Sequence, residues 1–291
     1  MKQKLLIVFP SDFFERRAVD PDLAREYDAC LETGLYEAVL FDYEQWFHGD
    51  RLVLTEKFGL PRRAVYRGWM MKPEKYEAFY MEPLKRNVHL ITDPAQYEYM
   101  HVFPNVYPAL GEDTARMLIY PDGAPPDLGE IRRSFRRFMV KDYVISVKGT
   151  DFPRYFENTV TREEFDCEME KFYRYRGGLY TGGICIKEYL KLKEYIGRTN
   201  EYRAYYVQGQ VLCVSRNSGQ GDFAPAPPEA LILKYRALPA SFYTVDLAEL
   251  EDGTWKILET GDGGVSGLSE GQDYPAFFRG LYCAINKYRR L

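Results

Sequence analysis

Two carboxylates near the C-terminus are the residues whose types and spacing most clearly suggest chemistry. They lie in the segment FYTVDLAELEDGTWKILETGDGG, in which Asp252-Gly253 is typical of a two-residue hairpin turn. Pairing outward from that turn places Asp246 opposite Glu259, with Cβ atoms about 5 Å apart. Two facing carboxylates repel each other and lose hydration when buried, and a divalent cation between them removes both costs. Mg²⁺ fits because it binds one or two carboxylates together with phosphate oxygens.

The alternative interpretation of this segment is an exposed hairpin edge with both carboxylates in solvent. Asp262 follows Glu259 by three residues and favours the metal site, because it can provide another carboxylate ligand. We therefore expect Asp246, Glu259 and Asp262 to hold Mg²⁺. The same register places Ala248 opposite Ile257, on the face that carries Asp246.

Two lysines end strand-like runs in the segment FMVKDYVISVK. They are Lys141 and Lys148, and the second precedes a Gly-Thr dipeptide. A lysine at a strand end can project toward a phosphate. The alternative is a solvated surface residue, because the long stem lets the charge reach water.

An E-x-R pattern occurs in the segment ICIKEYLKLKEYIGRTNEYRAYYV. Glu201 and Arg203 share one face of the strand on which they lie. A two-residue turn at Gln208-Gly209 would put Glu201 opposite Arg216. That pair would be an ordinary surface ion pair worth under about 1 kcal/mol.

The elements that must position these side chains begin with a parallel α/β unit. Strands are predicted at residues 5–9, 38–41, 64–67 and 88–91, and helices at 21–33 and 73–86. Strand-helix alternation at this spacing predicts a small parallel sheet that ends near residue 98. Arg67 ends the third strand, at the edge where such sheets bind ligands.

The rest of the chain has a different pattern of secondary-structure elements. We predict strands at 134–141, continued at 144–148, and at 184–186, helices at 161–175 and 275–290, and hairpins at 202–215 and 243–258. Hairpins that follow a strand-helix unit predict a mixed α+β architecture.

The order of these pieces over about residues 130–265 resembles the ATP-grasp superfamily. A strand-end lysine, a glutamate-aromatic-aliphatic segment, an E-x-R strand and two acidic strands follow one another. The resemblance implies an α+β ATP-grasp fold, in which two subdomains clamp a nucleotide, after a small parallel α/β domain. The expected domains are 1–98 and 99–291, the second divided into subdomains 130–186 and 187–291.

The resemblance also implies how ATP would be held. Lys141 and Lys148 would contact its phosphates. A hinge would bond the adenine through its backbone, and its residues are Lys187, Glu188, Tyr189 and Leu190.

The catalytic residues follow from the same resemblance, in which Arg203 would face the transferring phosphoryl group and Lys148 would also be catalytic. Arg67 would bind the substrate carboxylate, because it lies at the end of a parallel strand where α/β sheets bind ligands. Arg67, Lys141 and Lys148 together resemble the divergent clade named for one arginine and two lysines.

Two features depart from the family pattern. The usual E-x-N metal motif has Gly261 where the asparagine is expected, and Asp262 would take its place beside Asp246 and Glu259. The loop after the first lysine has a single glycine, so the charge of Lys148 would replace missing backbone donors.

The implied activity is an ATP- and Mg²⁺-dependent carboxylate–amine ligase that works through an acyl phosphate. Its partners would be ATP, a carboxylate and an amine, either small molecules or peptides. A kinase-type ATP-grasp phosphotransferase and a non-catalytic nucleotide-binding module are the alternatives. Only a ligase forms an amide, and only an enzyme turns over ATP.

Composition excludes several other classes. The 291 residues contain 39 Lys and Arg against 43 Asp and Glu, and this net charge of −4 argues against nucleic-acid binding as the main role. Five cysteines without a CxxC motif and three scattered histidines favour neither a disulfide framework nor a zinc site. No apolar run approaches the ~20 residues of a membrane span. We expect a cytoplasmic protein.

Overall fold

The computed structural model describes residues 3–287, which form three four-stranded sheets and one two-stranded hairpin. The N-terminal unit contains β1 (Leu5–Pro10), α1 (Ala24–Glu32), β2 (Tyr36–Phe41), α2 (Tyr43–Gly49), β3 (Arg62–Tyr66), α3 (Pro73–Leu84) and β4 (Val88–Leu90). Its sheet is parallel, with strand order β2-β1-β3-β4. Every residue of β1 is buried, as expected for a strand covered on both faces. The predicted parallel sheet is confirmed.

The connection to the rest of the chain is helical and was missed in the sequence. It consists of α4 (Pro94–His101) and α5 (Phe103–Leu110). Tyr97 of α4 packs in the core of the N-terminal unit, whereas Met100 packs in a second core, together with residues such as Tyr206 and Val245 of the C-terminal part of the chain. The expected domain boundary at residue 98 therefore lies inside a helix whose residues pack in both cores.

The second sheet is antiparallel and carries the first lysine. Its elements are β5 (Met117–Pro121), α6 (Leu128–Ser134), β6 (Arg137–Asp142), β7 (Phe156–Glu157), α7 (Arg162–Arg176) and β8 (Gly183–Glu188), and the strand order is β5-β8-β6-β7. The predicted continuation of β6 over 144–148 is wrong. The Asp142 carboxylate accepts hydrogen bonds from the N–H groups of Val144 and Ile145, at 2.8 and 2.7 Å, and turns the chain out of the sheet.

The third sheet carries the E-x-R and acidic strands. A small hairpin of β9 (Glu194–Tyr195) and β10 (Arg198–Thr199) precedes β11 (Glu201–Val207), β12 (Gln210–Arg216), α8 (Glu229–Lys234), β13 (Phe242–Glu249), β14 (Trp255–Asp262) and α9 (Tyr274–Lys287). The sheet is antiparallel, in the order β12-β11-β13-β14. Helix α9 shares one apolar core with β1, β11 and β13. The last residues of the predicted C-terminal helix, 288–290, lie outside the described residues.

The acidic hairpin reaches the predicted pairing by two deviations that cancel. Its loop has three residues, because Leu250 bonds Thr254 (N–H to O, 2.8 Å) and Gly253 takes the left-handed conformation, with φ of 84°. The expected two-residue turn is therefore wrong. An extra residue at Leu258 bulges from β14 and restores the register.

Asp246 consequently lies opposite Glu259, as predicted. Closer to the turn the register differs by one residue. Ala248 pairs with Lys256, and the expected Ala248–Ile257 pair is absent from the described ladder.

The preceding hairpin also contains a bulge. Its turn at Gln208-Gly209 has the expected two residues, but an extra residue in β12 shifts the register between Tyr205 and Tyr206. Arg216 then pairs with Tyr202, and its guanidinium contacts Asp222 at 2.9 Å. The predicted Glu201–Arg216 surface pair is wrong.

Within residues 3–287, no helix is both long and apolar enough to cross a membrane.

Candidate active site

A cleft with a volume of about 1050 Å³ lies between the second and third sheets. Lysines line it from one side, and the arginine and carboxylates of the third sheet line it from the other. The predicted site residues on its wall are Lys141, Lys148, Lys187, Glu188, Tyr189, Leu190, Arg203, Asp246 and Glu259.

The two facing carboxylates are each paired with a basic residue. The Nε and Nη2 groups of Arg203 donate to the two oxygens of Asp246 at 2.8 and 2.7 Å. Lys141 Nζ lies 3.3 Å from Glu259 Oε1. Strand pairing causes the first contact, because Arg203 and Asp246 are directly opposite on β11 and β13.

The charges around Glu259 favour its ionised form. Burial acts in the opposite direction, but Lys141, Lys148 and Lys187 together lower the pKa of Glu259 to about 2. This carboxylate is therefore charged at neutral pH. Its side chain is still 40% exposed, so a ligand in the cleft can reach it.

The side chain of Lys187 was not recognised in the sequence, where only its backbone was assigned a role. Its ammonium group is buried, donates to the carbonyl oxygen of Leu258 and lies 4.2 Å from the centre of the Phe103 ring. Burial and the nearby charge of Lys141 lower the pKa of Lys187 to about 7. Strand alternation could have revealed it, because Cys185 and Lys187 share the face on which Cys185 meets Lys141.

Lys148 reaches the cleft from the loop after β6 and is exposed. The start of that loop is held by Asp142, which is fully buried and accepts a hydrogen bond from Arg176 Nε at 2.7 Å. The loop therefore has a fixed base near Lys141, and Lys148 lies six residues beyond it.

The hinge segment lines the same cleft. The N–H groups of Glu188 and Tyr189 donate to the carbonyls of Arg116 and Arg137, at 2.9 and 3.0 Å. The Glu188 carboxylate is held by both Nε and Nη2 of Arg116. Residues of β6 and of the chain just before β5 thus hold this segment in place, and Leu190, the next residue, lines the cleft.

A family model matches residues 127–281 and describes an ATP-grasp domain, R2K clade family 3. The match covers more than half of the chain. This protein belongs to the ATP-grasp family. The family and clade expected from the sequence are confirmed, as is the α+β ATP-grasp fold with a parallel N-terminal sheet.

Solved structures agree with this ATP-grasp fold along nearly the whole chain. D-cycloserine synthetase DcsG is 15% identical, with a TM-score of 0.59, over 95% of this chain and 98% of its own. D-alanine–D-alanine ligase from Bacillus anthracis complexed with ATP is 11% identical, with a TM-score of 0.63, over 99% and 98%.

A third structure is the ATP-grasp ligase PsnB with a phosphomimetic variant of its minimal precursor, Mg and ADP. It is 12% identical, with a TM-score of 0.60, over 97% of this chain and 99% of its own. At such identities these likenesses concern the fold alone. No protein with curated annotation matches this ATP-grasp chain significantly.

Asp262, the expected third metal ligand, lies away from the other two. It follows Glu259 by three positions, an odd number, so strand alternation directs it to the opposite face of β14. It is buried, accepts a hydrogen bond from Gly264 N–H at 2.7 Å, and burial raises its pKa to about 7. Among residues 3–287 no cluster of three acidic, histidine or cysteine side chains could hold a metal.

Arg67, the expected binder of the substrate carboxylate, does not line the cleft. It is 1% exposed, and its Nε and Nη2 groups bind the Glu26 carboxylate at 2.5–2.8 Å. Its Nη1 group donates to the carbonyls of Gly263 and Ser266. Contacts within the protein thus occupy the Arg67 guanidinium, which we expected to bind the substrate carboxylate.

Three basic residues of the matched region lie close to Asp246 and Glu259, namely Arg203, Lys141 and Lys187. A fourth, Lys148, reaches the cleft from the exposed loop. Arg67 lies outside the matched residues.

Proposed function

We propose that this ATP-grasp protein is an ATP- and Mg²⁺-dependent ligase that joins a carboxylate to an amine through an acyl phosphate. One observation carries the proposal. Arg203, Lys141 and Lys187 surround the facing carboxylates Asp246 and Glu259 in a cleft between two sheets. This arrangement suits a triphosphate with its metal, because both signs of charge meet at one place.

Asp246 and Glu259 fit Mg²⁺ as a pair. This ion takes one or two carboxylates, and phosphate oxygens and water complete its octahedron. A third protein ligand is therefore not required, and Asp262 is left out of the proposed site. Bound there, Mg²⁺ would neutralise phosphate charge during transfer.

The basic residues that now neutralise the carboxylates would turn to the phosphates. Lys141 and Lys187 would hold the phosphates from the second sheet, and Lys148 would approach from its loop. Lysine and arginine bind phosphate oxygens through strong charge-assisted hydrogen bonds. In this exchange Mg²⁺ would replace the basic partners of the carboxylates, and the phosphates would replace the carboxylate partners of Arg203 and Lys141, so neither side is left as an unpaired charge.

Adenine would lie against the hinge at residues 188–190. The N–H groups of Glu188 and Tyr189 are already engaged by strand neighbours. The donor to the purine would therefore be Leu190 N–H, and the acceptor would be the carbonyl of Glu188.

The proposed reaction has two steps. A carboxylate oxygen of the substrate attacks the γ-phosphorus, the bond to the bridging oxygen breaks, and ADP leaves. An amine then attacks the acyl carbon, the carbon–oxygen bond to phosphate breaks, and the amine releases a proton as the amide forms. Arg203 would stabilise the charge on the phosphoryl group in both steps, through its planar fork of donors.

The fold comparisons support amide formation over simple phosphoryl transfer. D-alanine–D-alanine ligase and PsnB, both ligases by name, share the fold over nearly the full chain.

The test is ADP release from the purified protein with Mg-ATP and pooled amino acids, peptides and polyamines, followed by mass spectrometry of the products. Hydroxylamine added in place of the amine should trap the acyl phosphate as a hydroxamate. A phosphorylated product without amide or hydroxamate would indicate a kinase. Absence of ADP release in every pool would contradict the proposal that the protein is an ATP-dependent enzyme.

A further inference from the structure

The buried Arg67–Glu26 pair joins two parts of the chain that are far apart in sequence. Glu26 lies on α1, and Arg67 follows β3. Through Nη1, Arg67 also holds the carbonyls of Gly263 and Ser266. The Glu26 carboxylate accepts a longer hydrogen bond, 3.4 Å, from Leu268 N–H. The pair thus holds, through hydrogen bonds to its backbone, the segment GGVSGL at residues 263–268, which directly follows the acidic strand β14.

The same segment contacts Arg203 from the other side. Its Gly267 carbonyl accepts a hydrogen bond from Arg203 Nη1 at 2.9 Å. The Tyr205 hydroxyl lies 2.7 and 2.8 Å from the carbonyls of Ser266 and Gly267. A continuous set of hydrogen bonds therefore leads from Glu26 through Arg67 and the glycine-rich segment to Arg203.

The glycine-rich segment needs such support. Three of its six residues are glycines, which lose the most backbone entropy when they are held in one conformation. Their carbonyls accept hydrogen bonds from other segments: Gly263 from Arg67, Gly264 from the Gly68 N–H, and Gly267 from Arg203 and Tyr205. Arg67 is suited to this, because its planar fork holds a carboxylate and backbone carbonyls together.

We propose that Arg67 is a positioning residue for Arg203. With Glu26 it fixes the 263–268 segment, and the Gly267 carbonyl then fixes the plane of the Arg203 guanidinium. This proposal rests on the proposed function for the catalytic role of Arg203. It replaces the expectation that Arg67 meets the substrate.

The hydrogen bond from Arg203 to the Gly267 carbonyl would become more important when nucleotide binds. In the present structure Asp246 holds two of the three guanidinium nitrogens of Arg203. If Asp246 turns to Mg²⁺, the Gly267 carbonyl remains, together with the Tyr205 hydroxyl, to orient Arg203. A small misplacement of that guanidinium would slow transfer by about 10²-fold without loosening ATP.

The variants are Arg67→Lys, Glu26→Gln and the double variant Glu26→Gln/Arg67→Met. Arg67→Lys keeps the charge opposite Glu26 and loses the fork. The double variant removes both charges together, so neither remains buried and unpaired if a single variant fails to fold. Arg62→Lys is the matched control, since Arg62 lies on β3, the strand that Arg67 follows, and pairs with Glu37 at 3.0 Å, away from the segment.

The measurements are Mg-ATP affinity by calorimetry and kcat and KM for ADP release. We expect affinity and the KM for the carboxylate to stay within about twofold, and kcat to fall by about 10²-fold. An increase in the carboxylate KM at unchanged kcat would return Arg67 to substrate binding. Unchanged kinetics would reduce it to a structural residue. Either result overturns the proposal.

A double-mutant cycle with Arg203→Lys tests the route of the effect. If Arg67 acts through Arg203, then Arg67→Lys changes kcat little in the Arg203→Lys background. Independent, additive losses would overturn the proposal.

A readout that needs no turnover separates this proposal from the proposed function. An Nη1–H resonance of Arg203, the group that donates to the Gly267 carbonyl, is assigned by its loss in Arg203→Lys and reports how firmly the segment holds the guanidinium. We expect faster solvent exchange of this proton in the Arg67 and Glu26 variants and no change in Arg62→Lys. Unaltered exchange would overturn the positioning role, whether or not the wild-type protein forms an amide.

Discussion

Arg203 and Asp246 face each other across β11 and β13 and share two hydrogen bonds of 2.8 and 2.7 Å. The proposed catalytic arginine thus binds one of the two proposed metal ligands. Removing either residue changes the charge that the other one meets, so their variants have to be interpreted together.

The first prediction concerns the metal. Asp246→Asn should weaken Mg-ATP binding by about tenfold or more, since an interaction with a charged group contributes roughly 1.5–3 kcal/mol. Binding of metal-free ATP should not weaken, because the substitution removes a negative charge from the phosphate site. Calorimetry with and without Mg²⁺ measures both. Asp252→Asn, in the exposed turn of the same hairpin, is the control, and equal affinities for the two variants would refute the metal site.

The second prediction concerns the transferring phosphoryl group. Arg203→Lys should retain Mg-ATP binding and lower turnover by about 10²-fold or more, because lysine keeps the charge but loses the two-pronged contact. The control is Arg216→Lys. Arg216 lies on the neighbouring strand β12 and pairs with Asp222, and this variant should have a nearly normal rate. A normal rate in Arg203→Lys would remove this residue from catalysis.

The third prediction concerns pH and Lys187. Burial, together with Lys141, lowers its pKa to about 7, so the free protein is losing this proton at neutral pH. Phosphate binding favours the ammonium form, so ATP binding at pH 8 should take up a proton. ATP affinity should fall as the pH rises above about 7. Calorimetry in two buffers of different ionisation enthalpy measures the uptake.

The same shift has a consequence for stability. A lysine whose folded pKa is lower than its unfolded pKa binds fewer protons in the folded state between those values. Its contribution to the free energy of unfolding therefore rises with pH from about 7 to about 10.4, the ordinary lysine value. Lys187→Met is the control for both effects. If the proton uptake persists in this variant, another group is responsible.

The fourth prediction concerns adenine. A structure with bound nucleotide should place the purine within about 4 Å of residues 188–190. If Leu190 N–H donates to N1, 1-deaza-ATP should bind more weakly than ATP, whereas 3-deaza-ATP should bind almost normally. Equal loss for both analogues, or adenine bound elsewhere in the cleft, would rule out this hinge.

Much of the fold and part of the candidate site could be predicted from the sequence because they depend on local patterns. Alternating strands and helices indicated the parallel sheet, and the Asp-Gly turn indicated the acidic hairpin. The pairing of Asp246 with Glu259 was right although the turn has three residues, since the bulge at Leu258 compensates. Local alternation would also have excluded Asp262, which lies an odd number of residues from Glu259.

What the sequence by itself determined is therefore the parallel N-terminal sheet, the order of the segments that carry the site residues, the carboxylates of one hairpin and the family that this order resembles. The tertiary structure alone decided which charges meet. Glu26 engages Arg67 across 41 residues, and Asp246 engages Arg203 across 43. Burial, not residue type, brings the pKa of Lys187 close to neutrality. Such contacts depend on strand register and on packing between distant segments, which local propensity does not encode.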